Sequence, residues 1–221
     1  MTDSHSTTRE IQVYELRCPE CTADLDGISS DRMFVCPQCD IVFSALNGRL
    51  QKEPLYIADP LQPVGDNLLY LPFWRFDVAT RVQDAQRRDI TEATIAREIR
   101  FVWVPAFYEV RPNVFGNPGF TLSMARLDVT PTLWPADKKL KLAGAVRRSE
   151  EAAVYVHPYV CGMLDRSKDI SGYHIEVTHQ PAEYWAVPFS LSQREMLLRD
   201  LLCGAVYPTT MVERFEEIIM F

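Results

Sequence analysis

No stretch of this chain stays apolar for anything near the ~18 residues that cross a bilayer. The opening residues, MTDSHSTTREIQVYEL, lack the basic flank and apolar run of a secretion signal. Four catalytic signatures are also missing: GxGxxG, the P-loop, GxSxG and HExxH. Nor is there an excess of positive charge, since 23 Lys and Arg face 30 Asp and Glu for a net charge of −7. A nucleic-acid binder gains most of its affinity by neutralising phosphates, so this chain would approach nucleic acid against its own mean field. These absences point to a cytoplasmic protein with no membrane span. They leave no residue that can be named as catalytic, although an enzyme assembled from scattered positions stays open.

What is present is an ordinary globular composition, 47% apolar and 24% charged over 221 residues. That length suits one medium domain plus a small one. Four of the six cysteines form two identical spacings, Cys18-x-x-Cys21 and Cys36-x-x-Cys39, while Cys161 and Cys203 stand alone. Two residues between cysteines let a tight turn aim both sulfurs at one ion, and two such turns supply a tetrahedral four-thiolate site. Asp26-Gly27 between them is a turn signal, and Met33-Phe34-Val35 reads as a strand entering the second pair.

This pattern resembles the zinc ribbon over residues 13–50. The resemblance implies a structural Zn²⁺ held by Cys18, Cys21, Cys36 and Cys39. All four positions are filled by protein, so none remains for water or substrate, and a segment this short cannot fold on apolar burial alone. Iron in the same thiolates, as in rubredoxin-like electron carriers, is the rival, but such carriers usually space their pairs further apart. Zinc ribbons often carry Gly directly after the second cysteine of each pair, where a left-handed backbone is convenient. Here those positions are Thr22 and Asp40. Between Glu10 and Leu50 seven acidic residues face three basic ones, a sign that repels phosphate and favours a protein partner.

The domain organisation expected is a flexible tail (1–12), the ribbon (13–50), a Pro-rich linker (51–66) and an α+β domain (67–221) with an aromatic-rich sheet. Pro54, Pro60 and Pro63 make 51–66 extended, either as a free linker or as coil ordered against one domain. Beyond it, LLYLPFWRFDV, FVWVPAFYEV and EYWAVPFSL each set aromatic and β-branched residues around a proline, with VYVHPYV (154–160) a weaker echo. Each reads as a strand with Pro at its start, edge or bulge. Their aromatics suit a core better than a ligand groove. The LPFW and VPAF blocks after an N-terminal ribbon resemble uncharacterised bacterial zinc-ribbon proteins, which bring no activity with them.

Strands are expected near 68–78, 101–110, 120–129, 173–179 and 183–190. Ser192 with Glu195 reads as a capping box opening a helix that Gly204 ends, and Thr210 with Glu213 as another before the chain end. A further helix falls within 137–156, and 84–99 reads equally as helix or loop. His174 and Glu176 share one face of a strand, with His179 on the other, and are read as solvated. His5 falls in the tail, and His157 in a packed or surface strand. Cys161 and Cys203 have no local basic partner. Lys138, Lys139, Lys141, Arg147 and Arg148 form the one basic cluster that would serve a nucleic-acid-binding regulator; a solvated helix face accounts for it more simply. The favoured function is a non-catalytic adaptor or assembly protein. Its contact surfaces would be the ribbon tip, Asp26 to Met33, and the C-terminal Ile219-Met220-Phe221.

Overall fold

A computed structural model describes residues 16–25, 31–46, 49–64, 67–90, 99–107, 117–133, 142, 144–166, 169–212 and 215. The architecture is α+β, with two sheets and few helices. The first sheet is three antiparallel strands in the order β1 (Met33–Val35), β2 (Val42–Leu46), β3 (Arg49–Glu53). It carries the four cysteines at one end and is called the cysteine module below. The rest of the described chain is the body.

The 51–66 stretch departs from a free linker. Residues 51–53 complete β3, Pro54 stands alone, and Leu55–Ile57 forms β4, which lies parallel to β9 (Glu183–Ser192). The prolines permit this because extended backbone is their preferred state, and the paired residues are the non-prolines between them.

The body is organised by β5 (Leu68–Gln83), a 16-residue strand. Its residues 68–75 pair with β9, 73–77 with β6 (Phe101–Pro105) and 78–83 with β8 (His174–His179). On its other edge β9 pairs first with β4 and then with β10 (Leu197–Asp200), which pairs with β11 (Val206–Pro208). A short β7 (Thr132–Leu133) completes the edge beyond β4.

Both faces of this sheet are covered. Trp74, Phe76, Val102, Val104, Tyr184 and Ala186 face one cluster. Their sequence neighbours Leu71, Phe73, Trp103, Trp185, Val187 and Phe189 face the other. Side chains alternate between faces along a strand, so burial on both sides produces unbroken apolar blocks instead of alternation. Filling both layers with aromatics stabilises strongly, at about 1.5–3 kcal/mol of transfer free energy for each buried Phe.

The prolines of those blocks sit where no donor is needed. The Pro72 carbonyl accepts the Ala106 N–H, one residue past the end of β6, and the Pro188 carbonyl accepts the Leu201 N–H, one residue past β10. In an extended strand a residue's N–H and C=O point to the same edge, so each missing N–H falls just beyond a neighbour's last ladder bond.

Two of the three helices depart from the sequence reading and one agrees with it. The expected strand 120–129 begins as helix α1 (Pro118–Met124), because Asn117 caps it, its Oδ1 accepting the Phe120 N–H at 2.7 Å, and Pro118 occupies the first helical position. The helix expected within 137–156 is present as α2 (Ser149–Ala153). VYVHPYV is not a strand but the start of α3 (Val156–Asp165), with Pro158 in the first turn, where its absent N–H costs nothing. Conversely, the expected helix after Ser192 is a hairpin. Ser192 Oγ donates to Glu195 at 3.4 Å across a turn, Met196 adopts φ +53°, and β10 follows with Leu198 and Asp200 buried and Arg199 exposed. Gly204 (φ +78°) closes the next turn into β11. Half of 84–99 (residues 91–98) and most of the expected C-terminal helix lie outside the described residues; 84–90 is largely turn and coil, and Thr209–Met211 forms a single 3-10 turn.

Candidate metal centre

The two cysteine pairs are held by the same hydrogen-bond pattern. The Cys18 N–H donates to the Ala23 carbonyl (2.8 Å) and the Thr22 N–H to the Cys18 carbonyl (2.9 Å). Likewise the Cys36 N–H donates to Ile41 (2.9 Å) and the Asp40 N–H to Cys36 (2.9 Å). Closing each turn requires a left-handed residue, and Thr22 (φ 64°) and Asp40 (φ 54°) supply it. These are the positions at which glycine would be free of strain, so both turns form against a small local cost.

The turns bring four sulfurs together. Cys21 lies 3.4 Å from Cys36 and 3.8 Å from Cys39, and Cys18 lies 3.6 Å from Cys39. All four are within 4.8 Å of one another. A tetrahedron with Zn–S bonds of 2.3 Å has edges of about 3.8 Å. A disulfide needs about 2.05 Å, so these are four separate thiols. Cys18 and Cys36 are buried, and Cys21 and Cys39 are partly exposed. Leu25, Phe34 and Phe43 surround the buried pair.

The thiols repel a full set of negative charges. Burial opposes ionisation of Cys18, but backbone N–H groups of Cys21 and Glu20 outweigh it and bring the thiol down to about 7. Burial and the neighbouring Cys36 push Cys39 up to about 12. Cys21 is also raised: its backbone bond to Ala23 favours the thiolate, but burial and the sulfurs of Cys36 and Cys18 oppose it more strongly. Four thiolates at such distances require a cation, and a soft-to-borderline one suits the donors. This is the one group of metal-ligating residues among those described.

The remaining candidates resolve differently. His174 meets Glu176 at 3.3 Å, Glu176 meets Arg81 at 3.8 Å, and Arg81 binds Asp89 at 2.7 and 3.0 Å, a partly exposed network across β5 and β8. His179, on the opposite face, packs edge-on to Phe76. Cys161 does have a basic neighbour, because α3 places His157 one turn before it; the strand reading of VYVHPYV hid this. Its sulfur lies 3.7 and 3.9 Å from the two ring nitrogens, which puts it off the lone-pair direction of either. Burial raises the Cys161 thiol, and burial with Asp200 pushes Cys203 up to about 12.

The basic cluster loses a member to the interior. Arg147 is buried, with its guanidinium donating to the Pro105 carbonyl and lying 4.8 Å over the Tyr155 ring. Arg148 is half-buried, and Lys138, Lys139 and Lys141 lie outside the described residues. Met33, expected at an accessible tip, is buried against the body. Residues 26–30 and 219–221 are also outside the described set.

One partly buried ion pair has no sequence signal. Arg75 and Glu183 oppose each other across β5 and β9 at 2.7 Å, with the guanidinium 4.0 Å over Trp185 and 4.4 Å over Phe101. Their pairing depends on register, which no local pattern reveals. Glu183 also accepts from the Trp185 indole. An indentation of about 20 Å³ beside Phe101, Trp103, Ser123 and Arg126 has room for about one water.

No helix among the described residues is long and apolar enough to cross a membrane. Compared with known protein families, with curated proteins and with solved structures, the chain matches none of them.

Proposed function

We propose that the cysteine module is a zinc ribbon and that the protein is a non-catalytic adaptor or assembly component, cytoplasmic and acting through a protein partner. The observation that carries the metal reading is the sulfur geometry: four thiols within 4.8 Å of one another, with three of their separations at 3.4 to 3.8 Å, close to the edge of a Zn–thiolate tetrahedron. The adaptor reading is supported by the filled coordination set, which leaves the ion a structural role. It is further supported by the aromatic blocks, whose large side chains serve the body's two cores. Commitment of Arg147 to the interior weakens the nucleic-acid alternative.

Two measurements test this. Metal analysis of the purified full chain is expected to return one zinc per chain, with Co²⁺ replacement giving the visible bands of tetrahedral thiolate coordination. A red, iron-containing protein would instead assign an electron carrier, and a metal-free chain unable to bind either ion would end the ribbon reading. Capture from native lysate, with nuclease at physiological salt, is expected to retain a protein partner that Cys36→Ser loses. Nucleic acid as the retained species, with loss of all partners on nuclease treatment, would overturn the adaptor reading.

A further inference from the structure

Strand β1 has two buried sides. Phe34 points into the small core around the cysteines, with Phe43 opposite it on β2. Met33 and Val35 join the body's larger cluster, which also takes Val42 from β2. Cys36, a ligand position, follows β1 directly.

The same strand grips a segment of the body. The N–H groups of Arg32 and Met33 both donate to the Ala145 carbonyl, at 2.8 and 3.2 Å. Gly144 lies so close to the Asp31 carboxylate that a Cβ there would stand 2.9 Å from its oxygen. Two residues on, the Val146 and Arg147 N–H groups both donate to the Ala106 carbonyl at 2.9 Å. The Arg147 guanidinium holds the Pro105 carbonyl, and the Trp74 indole N–H donates to the Arg147 carbonyl at 2.8 Å. Segment 144–147 therefore has the cysteine module on one end and the middle of β5 and the end of β6 on the other.

From this continuity we infer that metal occupancy controls the docking of segment 144–147, so that the metal centre acts as a clamp on the body as well as a staple for its own fold. The inference rests on the metal reading above. β1 is too short to hold its extended shape without the second cysteine turn, which anchors its end. Loss of the ion releases β1, and the Ala145 carbonyl then loses both of its donors from Arg32 and Met33. Coupling of this kind is reciprocal: loosening 144–147 weakens metal binding although none of its residues is a ligand.

The test uses the full chain, with hydrogen exchange followed before and after chelation and zinc content measured on the same samples. The expected result is exchange faster by about tenfold or more at residues 145–147 as well as in the module, reversed by restoring zinc. A second arm measures zinc affinity by chelator competition in Gly144→Val, which drives a side chain against Asp31; a fall of about threefold or more is expected. If zinc is present but chelation changes exchange only within 16–53, and Gly144→Val binds zinc normally, the clamp is wrong and the metal reading stands. If the chain binds no metal, both fall together.

Discussion

The cysteine module and the body solve the same problem with different materials. The module's core among the described residues is five buried side chains, two of them the clustered cysteines Cys18 and Cys36. The body has two aromatic-rich layers on opposite faces of one sheet, with Trp103, Trp185, Phe73, Phe76 and Phe189 almost wholly buried. A small fold with little apolar surface depends on coordination, worth about 10–16 kcal/mol in zinc-finger peptides, where a large one depends on packing. The two parts are therefore expected to fail under different insults.

The largest separation should come from Cys36→Ser. It removes one ligand and the anchor of β1, so the module is expected to lose its fold, read as collapsed amide protection across 31–53, while the body's sheet persists. Simultaneous unfolding of both at one midpoint would show the contrast to be false. Next, Trp185→Ala empties a site at the centre of the second layer and is expected to cost about 3–5 kcal/mol in the body. Thermal unfolding with metal content followed in parallel would show whether the module keeps its ion after the body softens.

A smaller effect is expected at Asp200, whose carboxyl burial raises above its ordinary value. Its Oδ1 accepts the Leu202 and Cys203 N–H groups, and its Oδ2 is buried without a partner among the described residues. A raised folded-state value means the native state holds the proton more tightly than the unfolded chain. Stability from this group therefore grows as pH falls from above the raised value toward the unfolded 3.8, and is lost as pH climbs through that window. Asp200→Asn keeps Oδ1 and removes the charge. It should flatten this slope and gain about 1 kcal/mol at pH 8, roughly 2–4 °C in Tm; an unchanged slope would place the pH response elsewhere. The smallest change is Thr22→Gly, which relieves left-handed strain in the first cysteine turn. A gain of at most about 1 kcal/mol is expected, visible as slower metal loss to a chelator.

The cysteine site was legible because its information is local: spacing within each pair fixes the turn, and the turn aims the sulfurs. The core strands were legible for a related reason, since burial on both faces writes itself as unbroken aromatic blocks. Ser192–Gly204 misled because Ser and Glu three apart satisfy a hairpin turn as well as a helix cap, and the buried Leu198 and Asp200 around Arg199 carry a period of two that the leucines obscure. α1 was readable from Asn117-Pro118, but the apolar run after it spoke for a strand. The docking of Met33 beside Ala145 and the Arg75–Glu183 pair were beyond reach, because each joins residues about a hundred positions apart whose meeting depends on the completed sheet.

Between the last residue of β3 and the first of β4 stands only Pro54. One residue spans at most about 3.6 Å, and this one has its φ fixed by its ring. The module is thus tethered with almost no slack to a strand inside the body's sheet, at a very high effective concentration with respect to its docking surface. Even a variant that breaks every side contact would leave the module hovering over the place it left, ready to rebind as soon as its own fold returned.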